Sequence, residues 1–147
     1  MRGPGANVKT RYALEALIYV AGQEEARVTP VSEIAAAVGI SPKFLEDILG
    51  ALRTAGILRS RRGKEGGYQL VPTPAELSVL RVVQALEGPA ASSPGEDRGP
   101  IAQVAAHAFA QALEAAMAVL AALTLDQLVE GARQIEAAGS AAYMYYL

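Results

Sequence analysis

Residues 31–70 read VSEIAAAVGISPKFLEDILGALRTAGILRSRRGKEGGYQL, and this stretch decides the fold. Apolar residues recur twice at helical spacing: Val31, Ile34, Ala35 and Val38, then Leu45, Ile48, Leu49 and Leu52. A spacing of i, i+3, i+4, i+7 places each set on one stripe of a helix. The punctuation agrees. Thr29-Pro30 and Ser41-Pro42 each predict a hydroxyl N-cap before a proline at the first helical position. Gly39 and Gly56 are placed to end the two helices. Only Gly39, Ile40 and Ser41 lie between them. Two short helices across so tight a turn predict a helix-turn-helix, a pattern shared with an ordinary helical hairpin.

The residues that follow favour the first reading. Residues 57–60 and 68–71 are β-prone runs, and the tip between them holds Arg61, Arg62, Gly63, Lys64, Gly66 and Gly67, just after Arg59. That composition predicts a basic hairpin. A hairpin joined directly to a helix-turn-helix is a wing. A wing tip that reaches phosphates, or enters a minor groove about 6 Å wide, needs long cations on a thin backbone. Glycine supplies the thin backbone and the sharp turn.

Outward from this stretch the totals narrow the classes. The chain has 147 residues, 52% of them hydrophobic, which suits one domain with an extension. It has no cysteine, which removes disulfides, thiolate nucleophiles and every cysteine-ligated metal or iron–sulfur site, and fits a reducing cytoplasm. The net charge of −2 is unevenly spread: residues 1–70 carry +3 and residues 71–147 carry −5. The first half is the one suited to a polyanion. The opening MRGPGANVKTRY lacks the apolar core of a signal peptide. The longest apolar block, 101–123, carries Gln103, His107, Gln111 and Glu114, which argues against a membrane span. These four share helical spacing, so the single histidine reads as part of a solvated face rather than as a ligand. No metal, cofactor or catalytic constellation is expected, and the chain does not read as an enzyme.

Leu14, Leu17, Ile18 and Ala21 predict a helix ahead of the motif, and Val79, Val82, Val83 and Leu86 predict one over 78–86. Residues 88–99, GPAASSPGEDRG, compose a linker. A helix of about 24 residues then runs over 100–123, apolar all round except for the one polar stripe. Such a helix cannot lie on the outside of a small monomer. Val104, Ala105, Ala108, Ala112, Ala115, Ala116 and Val119 suit close approach to a second subunit; an internal bundle helix is the alternative. Thr124 and Gln127 form a capping box that opens a last helix through Arg133. The expected class is mainly α with a small β-hairpin wing: a winged helix-turn-helix over 1–87, a linker over 88–99, and a dimerisation helix with a C-terminal segment over 100–147.

TRYALEAL, the stretch 31–70 and VVQALEG together resemble the Rrf2 family of bacterial transcription regulators over about residues 8–88. The resemblance implies a homodimer reading a partly palindromic double-stranded DNA operator. It implies DNA-facing positions at the start of the second helix of the motif, where Ser41 and Pro42 lead into Lys43, Phe44, Glu46 and Asp47. The wing arginine that enters the minor groove corresponds to Arg62, flanked by Gly63 and Lys64. Phosphate contacts from the amino-terminal segment correspond to Lys9, Thr10, Arg11 and Tyr12. Chemistry fits several of these: Lys43 can donate to guanine, and Glu46 or Asp47 can accept from a cytosine amino group. Arg53, Arg59 and Arg61 suit phosphates. Phe44 can meet a thymine methyl or join the core, and Tyr12 can reach the DNA backbone or only pack.

The chain departs from the family pattern where many members hold an iron–sulfur cluster through three cysteines, since 88–109 has none. Its last residues, AAYMYYL, resemble the tail of the cysteine-metabolism branch, which works with cysteine synthase. Tyr143, Met144, Tyr145, Tyr146 and Leu147 are then a docking surface for a partner, or pack back on the dimer. A winged-helix adaptor that does not read DNA is the other function class, supported by the acidic pair Glu46 and Asp47 and a pI near 5.4.

Overall fold

The computed structural model describes residues 7–89 and 98–139. Among them are six helices and one two-stranded sheet: α1 (Val8–Ala21), α2 (Val31–Val38), α3 (Pro42–Thr54), β1 (Leu58–Arg61), β2 (Gly67–Leu70), α4 (Val79–Glu87), α5 (Pro100–Ala122) and α6 (Leu125–Ala138). The first four helices with the hairpin make the expected winged helix-turn-helix.

Local chemistry fixes the motif. Gly39 takes the left-handed conformation (φ 77°) that ends α2, and its N–H donates to the Ala35 carbonyl at 2.8 Å. Ser41 caps α3 by accepting from the Phe44 N–H at 3.2 Å, with Pro42 at the first helical position. The other expected cap is corrected. Pro30 itself occupies the N-cap of α2, without a side-chain bond, because the Thr29 backbone is used elsewhere. Thr29 exchanges two hydrogen bonds of 2.8 Å with Tyr68, which makes it a one-residue third strand position beside β2 of the hairpin. The hairpin pairs Leu58 with Leu70, Arg59 with Gln69, Ser60 with Tyr68 and Arg61 with Gly67.

The core sits among α1–α4, with Ile57 and Leu58 from the wing and Leu125 and Val129 from α6. Leu45, Ile48, Leu49 and Leu52 are fully buried, as the spacing predicted. The stripe of α1 is rotated from expectation: Ala13, Ala16, Leu17 and Val20 are buried, while Leu14, Ile18 and Ala21 only flank the core. α1 packs against α2, α3, α4 and α6. Two of the four buried apolar residues of α1 are alanines, Ala13 and Ala16. Ser78 caps α4, accepting from the Arg81 N–H at 3.2 Å. Gln127 accepts from the Thr124 N–H at 3.2 Å at the start of α6, and that helix runs five residues past the expected Arg133.

α5 differs from the rest. It is about 35 Å long at 1.5 Å per residue, packs beside α4, and has no buried residue. By length and composition it could cross a bilayer, but Gln103, His107, Gln111 and Glu114 run along it and are all exposed.

Candidate nucleic-acid interface

The burial of one side of α3 defines its other side. Lys43, Glu46, Asp47 and Arg53 are exposed, as are Ser41 and Pro42 at the helix start. Lys43, Glu46, Asp47 and Arg53 fall at helical spacing and form a donor-and-acceptor stripe directly opposite the leucine stripe. Arg53 also lies in the last turn, where a cation complements the helix dipole. Phe44 is half-buried and joins the core from its edge. Its ring meets Tyr12 edge-on, with centroids 5.9 Å apart and planes at 88°, and the Lys9 ammonium lies 5.8 Å from its centre. The start of α3 is therefore braced against the start of α1.

The wing presents Arg59, Arg61, Arg62, Gly63 and Lys64 to solvent. None of its cations forms an ion pair with a carboxylate among the described residues, where the salt bridge present joins Arg27 to Glu33. Arg59 is nevertheless oriented: its Nε donates to Gln69 Oε1 at 2.9 Å, and Gln69 Nε2 donates to the Ala26 carbonyl at 2.6 Å. Strand alternation puts Arg59 and Arg61 on one side of β1. Glycines at the tip answer to space. A Cβ on Gly66 would stand 2.8 Å from the Gly63 carbonyl oxygen, and one on Gly67 (φ 156°) would collide with the Thr29 carbonyl. Gly67 thus lets the wing join Thr29.

The amino-terminal group divides. Lys9 and Arg11 are exposed and Tyr12 is half-buried. Thr10 is a correction: it is 1% exposed and donates its hydroxyl to Glu87 Oε1 at 3.1 Å. Its side chain faces the protein. Asn7 caps α1 by accepting from the Lys9 N–H at 3.0 Å, and its own N–H donates to Glu87 Oε1 at 3.3 Å. Neither Asn7 nor Glu87 was among the expected functional residues. An asparagine just ahead of an apolar-periodic segment is a capping signal and points to Asn7; nothing local points to Glu87.

The loop ahead of the motif is locked by a second network. Arg27 grips both oxygens of Glu33 at 2.8 and 2.9 Å, and the Tyr19 hydroxyl donates to Glu33 at 2.7 Å. The Arg27 guanidinium, followed by the Tyr19 hydroxyl, holds the Glu33 carboxyl at about 2, well below its ordinary 4.5. Bonding to that same carboxylate raises the Tyr19 phenol above its ordinary value.

Of the residues expected at a dimer contact, Val104, Ala105, Ala108, Ala112, Ala115 and Val119 are exposed, with Val104 at 72% and Val119 at 60%. Ala116 is half-buried within the single chain, on the side of α5 that also holds the half-buried Leu113, Met117 and Leu120. Tyr143, Met144, Tyr145, Tyr146 and Leu147 lie outside the described residues.

The family model for Rrf2, described as an iron-dependent transcriptional regulator, matches residues 6–131. The donor set here does not fit iron. The chain has no cysteine and one histidine, His107 stands exposed on α5, and no three His, Asp or Glu side chains gather among the described residues. A candidate HTH-type transcriptional regulator of Mycobacterium tuberculosis is 42% identical over 86 residues, covering 58% of this chain and 53% of that protein. The chain thus spans about half the length of the first such relatives. The transcriptional regulator NsrR of Geobacillus kaustophilus is 33% identical over 135 residues, covering 82% of this chain and 86% of that protein. Among solved structures, Staphylococcus aureus CymR is 34% identical with a TM-score of 0.69, covering 84% of this chain and 97% of that one. The CymR structure of Bacillus subtilis, described as the global cysteine regulator, is 28% identical with a TM-score of 0.72, covering 84% and 95%. The Rrf2 family model spans most of the chain, and the relatives that share its winged helix agree: the chain belongs to the Rrf2 family.

Proposed function

We propose that this regulator binds operator DNA as a homodimer in the cytoplasm, without an iron–sulfur cluster, and represses transcription. α3 lies in the major groove with Lys43, Glu46 and Asp47 at base edges, while Arg62 and Lys64 carry the wing tip into the adjoining minor groove. Lys9, Arg11, Arg53, Arg59 and Arg61 hold phosphates. The observation that carries this reading is the contrast along α3: four fully buried large apolar residues on one side, and an exposed hydrogen-bonding stripe on the other.

The exposed apolar side of α5 supports the dimer. Two-fold symmetry sets two recognition helices about 34 Å apart, or a multiple of it, as a palindromic operator requires. The solved relative described as a global cysteine regulator and the tyrosine-rich tail favour a role in cysteine metabolism, with the tail docking a partner enzyme such as cysteine synthase.

Footprinting at the promoter of its own gene, repeated from low to high salt, tests the core of the proposal. Affinity is expected to fall steeply with salt, and Arg62→Ala with Lys43→Ala is expected to lose at least about 10-fold in operator affinity. Salt-insensitive binding, or a double variant that binds as the parent does, overturns it. An adaptor would keep its protein partner in that variant, whereas a DNA reader loses the operator.

A further inference from the structure

Glu87 ends α4, where a carboxylate sits against the negative end of its own helix dipole. A position that breaks a local rule needs compensation elsewhere. Here the compensation comes from another helix. The carboxylate reaches the positive, amino-terminal end of α1, where Oε1 accepts from the Asn7 N–H at 3.3 Å and from the Thr10 hydroxyl at 3.1 Å. Thr10 is buried, so its hydroxyl depends on a protein partner.

Lys9 and Arg11 flank Thr10 and are exposed. One turn on, Tyr12 meets Phe44 edge-on, and Lys9 lies over the same ring. Phe44 belongs to the capped first turn of α3, beside Lys43. A continuous chain of contacts therefore runs from the last residue of α4, through the first turn of α1, to the first turn of the recognition helix. Glu87 is also the last helical residue before the segment that leads to α5.

We infer that Glu87, acting through Thr10 and Asn7, is a positioning residue for DNA binding: it sets where Lys9, Arg11 and the start of α3 stand on the operator, and it anchors them to the end of the helix that precedes α5. The inference rests on the DNA reading above and names a residue that touches no DNA itself. Hydrogen bonding, rather than charge at the interface, is what Glu87 contributes, so glutamine in its place retains the acceptor.

The test measures operator affinity and its salt dependence for the full chain and for Glu87→Ala, Thr10→Val, their combination, Glu87→Gln and Thr10→Ser. Glu87→Ala and Thr10→Val are each expected to weaken binding about 10-fold and to reduce the salt slope by about one to two phosphate contacts. The combined variant is expected to match Glu87→Ala alone, since that change already removes the bond from Thr10. Glu87→Gln and Thr10→Ser are expected to restore most of the affinity and the slope. Thermal melting run alongside separates folding from positioning: a purely structural role lowers the melting temperature and leaves the salt slope of the folded fraction unchanged, which overturns the inference. Variants that bind as the parent does also overturn it while leaving the DNA reading intact. A parent chain that binds no operator overturns both.

Discussion

α3 and α5 place their apolar residues in opposite ways. In α3, 13 residues long, four large apolar side chains are wholly enclosed and what remains outside is hydrogen-bonding chemistry. In α5, 23 residues long, nothing is enclosed, and Ile101 and Val104 stand 89% and 72% exposed. A single chain completes the first helix and leaves the second incomplete. Apolar area left in water is lost stabilisation of about 25 cal/mol per Å², which favours the second copy proposed to cover α5. The comparison also separates two kinds of outward face: one offering donors and acceptors to a polar ligand, the other offering small side chains to another helix.

If α3 is complete within one chain, the largest effect comes from emptying its buried side. Leu49→Ala is expected to cost about 2–5 kcal/mol in chemical unfolding, at any protein concentration. A cost that varies with concentration would mean that α3 too depends on a second copy. The complementary change is Val119→Glu on the open side of α5. Placing a carboxylate at a symmetric apolar contact is expected to weaken dimerisation about 100-fold by analytical ultracentrifugation, with operator affinity falling in parallel. The winged helix should keep its helical signal. A dimer of undiminished affinity would sink the assignment of that side.

The smallest expected effect lies in the loop network, away from both helices. Because Glu33 is held at about 2 against an ordinary 4.5, the ionised carboxylate stabilises the folded chain fully above about pH 4.5. That contribution is progressively lost as pH falls from there through 2, and only below that is the carboxyl protonated in both states. Glu33→Gln is expected to lower the melting temperature slightly at pH 7 and to match the parent below about pH 2. Both groups of the pair are partly exposed (37% for Arg27, 31% for Glu33), so solvent keeps the effect small. An equal difference at both pH values would show that packing, rather than charge, supports the loop.

The parts legible in the sequence were those settled by neighbours along the chain. The stripe Leu45, Ile48, Leu49, Leu52, the cap at Ser41-Pro42, the turn at Gly39 and the basic hairpin all follow from spacing and local hydrogen bonding, and all stand as read. What escaped was settled by residues far apart in sequence. Thr29 looks like a cap beside Pro30, yet Tyr68 claims its backbone. Thr10 lies between two exposed cations and looks like one more contact, yet its partner is 77 residues away. The stripe of α1 was misplaced because four helices pack against it, so which residues are enclosed depends on partners that periodicity does not encode. The long helix was identified by composition, but which of its sides meets its own chain depends on where α4 lies, and composition alone does not encode that.

The backbone pairing of Thr29 with Tyr68 has a mechanical consequence. It fastens the root of the finger to the segment that launches the helix-turn-helix, so the finger inherits its bearing from that segment instead of swinging on its own two strands. Only the tip, residues 62–66, lies outside the paired strands. A protein built this way arrives at its target with the gap between rod and finger already set, and gives up little motional entropy on landing.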